Sequence, residues 1–123
     1  MTDPQQFRVE LTHPRDELAL LALAGEIDLY SGPQFHKVLL HAIGQDVRHV
    51  IVDFSAVSFI DSTALGILVA AAKRFRQDEG VLLIVCGPGN VRGLLQIAGM
   101  AQVFMICATL EEALATAQPT SPA

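Results

Sequence analysis

The chain has 123 residues, 51% hydrophobic and 17% charged, which suits one domain around a single core and excludes a disordered polymer. Its formal charge of −5 comes without any cluster of Lys and Arg, so the basic footprint of a nucleic-acid or anionic-membrane binder is missing. The longest apolar run, residues 64–72, is far short of the roughly 20 that cross a bilayer. Met1-Thr2-Asp3-Pro4 does not open a secretion signal, so a cytoplasmic protein is expected.

The core should span about 7–117, as one domain filling 1–123, between a polar start and a Pro/Thr/Ser/Ala tail over 118–123 that reads as flexible. Phe7, Val9 and Leu11 alternate with Arg8, Glu10 and Thr12, the pattern of a half-buried strand, and 13–16 form a turn. Residues 18–24 are apolar almost throughout, which predicts a central strand buried on both faces and antiparallel to the first. Gly25-Glu26-Ile27-Asp28 ends it, with Asp28 expected to stand exposed in a loop. Ser31 offers an N-cap and Pro33 a first turn for a helix to about residue 43, with Phe35, Val38, Leu39 and Ala42 on one stripe.

Residues 50–54 form a third strand, parallel to the second because a helix joins them, and 55–60 read as an irregular link. Asp61-Ser62-Thr63 opens a long helix to about Gln77, with Leu65, Leu68, Val69, Ala72 and Phe75 inward. A strand at 81–86, a Gly/Pro turn, a short helix at 91–97, a strand at 103–106 and a last helix at 110–117 complete the chain. The order β-β-α-β-α-β-α-β-α predicts an α/β domain, a mixed and mostly parallel sheet of about five strands with helices packed on it. Cys86 and Cys107 end apolar runs and read as small buried hydrophobes; the alternative is a redox pair, if neighbouring strands bring the sulfurs together.

Four chemistries fail on spacing. Gly87-Pro88-Gly89-Asn90-Val91-Arg92-Gly93 is one residue too long for a dinucleotide turn, Pro88 stiffens it, and no acid follows the next strand. His36 and His41 are five apart rather than one helical turn, and His13 and His49 lack ligand-spaced neighbours, so no metal site is expected. There is no Gly-x-Ser-x-Gly turn, no histidine near Ser62 in sequence, and no Gly-Lys-Ser/Thr loop. The chain therefore reads as a binding module, not an enzyme, and needs no cofactor.

What remains is Ile60-Asp61-Ser62-Thr63-Ala64-Leu65-Gly66, where Asp61 or Ser62 caps a helix. If the second and third strands are parallel, Asp28 and the Asp61-Ser62 turn leave the sheet at the same edge. These segments, with Val50-Ile51-Val52-Asp53 between them and Val91-Arg92-Gly93-Leu94-Leu95 and Ala98-Gly99-Met100-Ala101 near the end, resemble the bacterial anti-sigma factor antagonists, or STAS domains. The resemblance covers about 7–117 and implies that Ser62, directly after the motif aspartate, is phosphorylated by a partner kinase that is itself an anti-sigma factor. Thr63 is the weaker alternative acceptor.

The resemblance further implies that the unphosphorylated protein binds the anti-sigma factor and frees a sigma factor, that phosphorylation ends the binding, and that a serine phosphatase restores it. The kinase would supply ATP and Mg²⁺. Asp28, Asp61, Ser62 and Thr63 would lie in the partner-binding surface. Leu29, Tyr30 and Ile67 would add a small apolar patch, unless Leu29 and Ile67 belong to the core. The family commonly has Gly where this chain has Ala64, a change expected to touch partner contacts only slightly. A STAS scaffold or lipid-transport accessory subunit is the alternative reading.

Overall fold

The sheet is built in the order in which the chain supplies its strands. The computed structural model describes residues 6–99 and 103–118; residues 1–5, 100–102 and 119–123, and with them Met100-Ala101 and all but Gln118 of the end expected to be flexible over 118–123, lie outside the described residues. The elements are β1 (Arg8–Arg15), β2 (Leu18–Ile27), α1 (Gly32–Ile43), β3 (His49–Ile60), α2 (Ser62–Gln77), β4 (Val81–Val85), α3 (Asn90–Gly99), β5 (Met105–Cys107) and α4 (Leu110–Thr116). The five strands lie in the order β1-β2-β3-β4-β5, with β1 antiparallel to β2 and every later pair parallel.

That order has a consequence for the layers. Successive crossovers that move one strand at a time in one direction, all of the same hand, put their helices on one face. Accordingly α1, α2 and α3 bury Phe35, Leu39, Leu68, Phe75 and Leu95 against Leu21, Leu23, Val52, Phe54 and Ile84. Phe35 and Phe54 meet edge to face with ring centroids 6.3 Å apart, and each fully buried large side chain contributes roughly 1.5–3 kcal/mol. The opposite face is left to the C-terminal α4, which packs Ala113 and Ala117 on Leu18, Ile51, Leu83, Val85 and Cys107.

One small helix covers that second face only in part, so β2 is buried on both faces only at its start, at Leu18 and Ala19. Leu21 and Leu23 are enclosed, but Leu20 and Ala24 are half-buried and Ala22 is exposed, in contrast to the expectation of a strand covered on both faces. The supposed link 55–60 is also strand. β3 runs unbroken to Ile60, and two register shifts against β2 disrupt the alternation by which it would have been recognised. At the other end, β5 falls at Met105–Cys107 rather than at 103–106.

The cysteines are free and buried, but on opposite sides of the sheet: Cys86 belongs to the core under α1–α3, Cys107 to that under α4. The backbone, not the sulfurs, brings them together, through a 2.9 Å bond from the Cys86 N–H to the Cys107 carbonyl. Burial raises both thiol pKa values, which suppresses the reactive thiolate.

Candidate functional site

Parallel pairing of β2 and β3 places Ile27 opposite Ile60, so the next residues, Asp28 and Asp61, leave the sheet side by side. The Asp61 N–H donates to the Ile27 carbonyl at 3.2 Å and ties the two exits together. The bulges make this possible. From the Ala22–Asp53 pair to the Ile27–Ile60 pair, β3 uses two more residues than β2. Without them Ile60 would overshoot Ile27 by about 7 Å at ~3.3 Å per residue. Side chains close the distortion: Asp53 accepts bonds from the Ser55 N–H and hydroxyl, and the Ser58 hydroxyl donates to the Gly25 carbonyl at 3.4 Å.

Asp28 is not a free loop residue. It is half-buried, and its carboxylate accepts from the Tyr30 N–H at 2.9 Å, the Ser31 N–H at 3.1 Å and the Ser31 hydroxyl at 3.3 Å. The Ser31 N–H above all, joined by those of Tyr30 and the Ser31 hydroxyl, holds its pKa below the ordinary carboxylate value, against an opposing effect of burial. Ser31 consequently does not cap α1 with its side chain; its hydroxyl reaches back to the Glu26 carbonyl at 3.0 Å and accepts from the Asp28 N–H at 3.0 Å. Ser31 thus stands at the expected N-cap position, but its hydroxyl locks the Asp28 turn instead of capping the helix.

Across from this turn, Asp61 is the true N-cap of α2: extended backbone at φ −118° and ψ −173°, with its carboxylate accepting from the Thr63 N–H at 2.9 Å. Ser62 is the first helical residue and is exposed, whereas Thr63 is half-buried. Thr63 is held by a close approach of the two helices: a Cβ on the buried Gly32 would lie 2.9 Å from Thr63 Cγ2 and 3.5 Å from Ile67 Cδ1. Gly32 was not singled out by sequence, although its place between Ser31 and Pro33 at a helix start was the available signal.

The apolar patch divides. Leu29 and Tyr30 are 69% and 91% exposed, but Ile67 packs against the core and contributes little surface. Phe59, 47% exposed at the end of β3, joins the same edge and was missed because the bulged segment read as a link. Ala64 is fully buried, so its methyl belongs to the core. Together these residues present a hydroxyl at the open end of a helix, two fixed carboxylates beside it, and exposed Leu and Tyr side chains on the adjoining turn.

The STAS domain family model matches residues 10–113, and the chain belongs to that family. Over 95 residues, 77% of this chain and 88% of the relative, it is 27% identical to the anti-sigma-B factor antagonist of Staphylococcus aureus. An anti-sigma factor antagonist from Mycobacterium paratuberculosis has the same fold, with a TM-score of 0.82 at 22% identity over 94% of this chain and 97% of that one. The Bacillus cell fate determinant SpoIIAA, solved in its phosphorylated form, aligns with a TM-score of 0.71 at 25% identity over 90% of this chain and all of that one (100%).

Proposed function

We propose that this protein is an anti-sigma factor antagonist that acts by binding and is switched by phosphorylation of Ser62. The observation that carries the reading is the exposed Ser62 hydroxyl at the start of α2, level with the fixed Asp28 turn. A sheet in strict sequence order has no point where strand order reverses, hence no crevice of the kind in which open α/β sheets bind small ligands. The exposed edge suits a protein surface better. Among the described residues no helix is long and apolar enough to cross a membrane, in keeping with work in the cytoplasm.

The unphosphorylated protein binds an anti-sigma factor through Asp28, Leu29, Tyr30, Asp61, Ser62 and Thr63, and releases its sigma factor. The same partner is a serine kinase that brings ATP, Mg²⁺ and the catalytic base. Ser62 Oγ attacks the γ-phosphorus, the bond to ADP breaks, and the hydroxyl proton passes to the kinase base. The phosphate gains free N–H groups at the helix start but adds almost two negative charges beside Asp28 and Asp61. A hundredfold loss of affinity needs about 3 kcal/mol. One like-charge pair at 4 Å reaches ~4 kcal/mol at an effective dielectric of 20, so a desolvated dianion facing an acidic or apolar partner surface suffices. A serine phosphatase reverses the change.

The test is phosphate transfer from the cognate kinase to wild type and to Ser62→Ala, with mass spectrometry to place the phosphate and binding curves for both. Ser62→Ala is expected to bind the kinase normally and to take up no phosphate. Undiminished incorporation into Ser62→Ala, at Thr63 or elsewhere, would sink the assignment.

A further inference from the structure

The two lateral edges of the sheet differ. β5 has three residues, whereas β1 has eight and ends the sheet on the other side. Only one side of β1 is paired, to β2, so its outer row of N–H and C=O groups has no strand beside it among the described residues. Next to that edge lies an open cleft of about 820 Å³ between β1 and α1, with Val9, Leu11, Val38 and Leu40 along it. Val9 and Leu11 are half-buried on this side of β1, while Arg8, Glu10 and Thr12 are exposed on the other.

We propose that β1 pairs antiparallel with β1 of a second copy of this chain, about a two-fold axis through Val9. The sequence selects this register. Residues directly opposite each other in an antiparallel pair share a face. With Val9 against itself, Phe7 meets Leu11 of the second copy on the α1 side, and Arg8 meets Glu10 of the second copy on the other. Symmetry repeats both contacts, so the edge is complementary to itself in shape and in charge. Moving the axis to Glu10 opposes two carboxylates, and moving it to Arg8 opposes two guanidinium groups. A register shifted by one residue sets charged side chains against apolar ones. In the Val9 register the two sheets join into one of ten strands, from two sets of five, and the two clefts meet beside α1 of each copy. The opposite charges that would blunt a lone edge here direct its pairing. The dimer is independent of the Ser62 switch, which lies at the end of β3 and not along β1.

Sedimentation equilibrium of the full chain from about 1 μM to 1 mM tests this, since edge-paired dimers of modest area associate weakly. A dimer fraction that rises with concentration is expected. Glu10→Arg opposes Arg to Arg at both symmetric contacts and is expected to weaken dimerisation at least about tenfold. The charge exchange Arg8→Glu with Glu10→Arg restores opposite pairs and should return affinity to within about threefold of wild type. Both residues are exposed, so melting curves of the variants should match wild type. A monomer at every concentration overturns the proposal. So does a dimer indifferent to Glu10→Arg, or a double variant no better than the single one.

Discussion

Gly32→Ala probes the contact that fixes the start of α2. The added Cβ would sit 2.9 Å from Thr63 Cγ2, where carbon pairs prefer ~3.5–4.0 Å. Overpacking of that size costs about 1–3 kcal/mol. The backbone at Gly32 is helical, so Ala also restricts the unfolded chain and stabilises by about 0.4–1 kcal/mol. The net loss in the wild-type background is therefore about 0–2.6 kcal/mol. Thr63→Ser removes the opposing methyl, and the Thr63 N–H that Asp61 caps remains, since it is backbone. In that background Gly32→Ala should become stabilising by about 0.4–1 kcal/mol, because the Ile67 contact at 3.5 Å is ordinary packing. The coupling between the two sites is thus about 1–3 kcal/mol, measurable by urea unfolding of wild type, both single variants and the double variant. A coupling under about 0.5 kcal/mol would refute the claim that Gly32 is needed to seat Thr63. Phosphate transfer to Ser62 should follow the same pattern, slowed in Gly32→Ala and recovered in the double variant.

Asp28→Asn keeps an acceptor oxygen but removes the charge that the Ser31 and Tyr30 N–H groups stabilise. The folded pKa of Asp28 is depressed, so its stabilisation is present above the unfolded value of about 3.9 and is lost as pH falls through the folded value. Wild type should be more stable than Asp28→Asn at pH 7, and the gap should close on acidification below about pH 4; a gap constant with pH would contradict this origin. Phosphorylated and unphosphorylated protein should melt within roughly 4 °C of each other, since dipole stabilisation of about 0.3–1 kcal/mol opposes repulsion from two carboxylates. Amide-exchange protection should change only in the Asp28 turn and the first turn of α2, and widespread loss of protection would mean that the switch works by unfolding.

Much of the architecture was legible because periodicity records which side chains face a core. The helix from Gly32 to Ile43 shows in the spacing of Phe35, Leu39 and Ala42, and α2 in that of Leu68, Ala72 and Phe75. The bulged half of β3 was not legible, since two extra residues break the alternation on which strand reading depends. Nor was the exposure of Ala22, because hydrophobicity does not say which sheet face the single helix α4 will leave open.

At the site, residue chemistry and order along the chain determined the essentials: a serine after an aspartate at a helix start, and a second aspartate at the end of a neighbouring parallel strand. Tertiary structure decided how those groups are held. Asp61, not Ser62, caps α2; Asp28 is anchored by Ser31; Thr63 is seated by Gly32; Ile67 turns inward while Leu29 and Tyr30 face out. Each of these depends on a distance between segments far apart in sequence. A propensity or a motif describes a residue together with its near neighbours along the chain. The gap between Gly32 and Thr63 exists only after both helices have docked on the sheet.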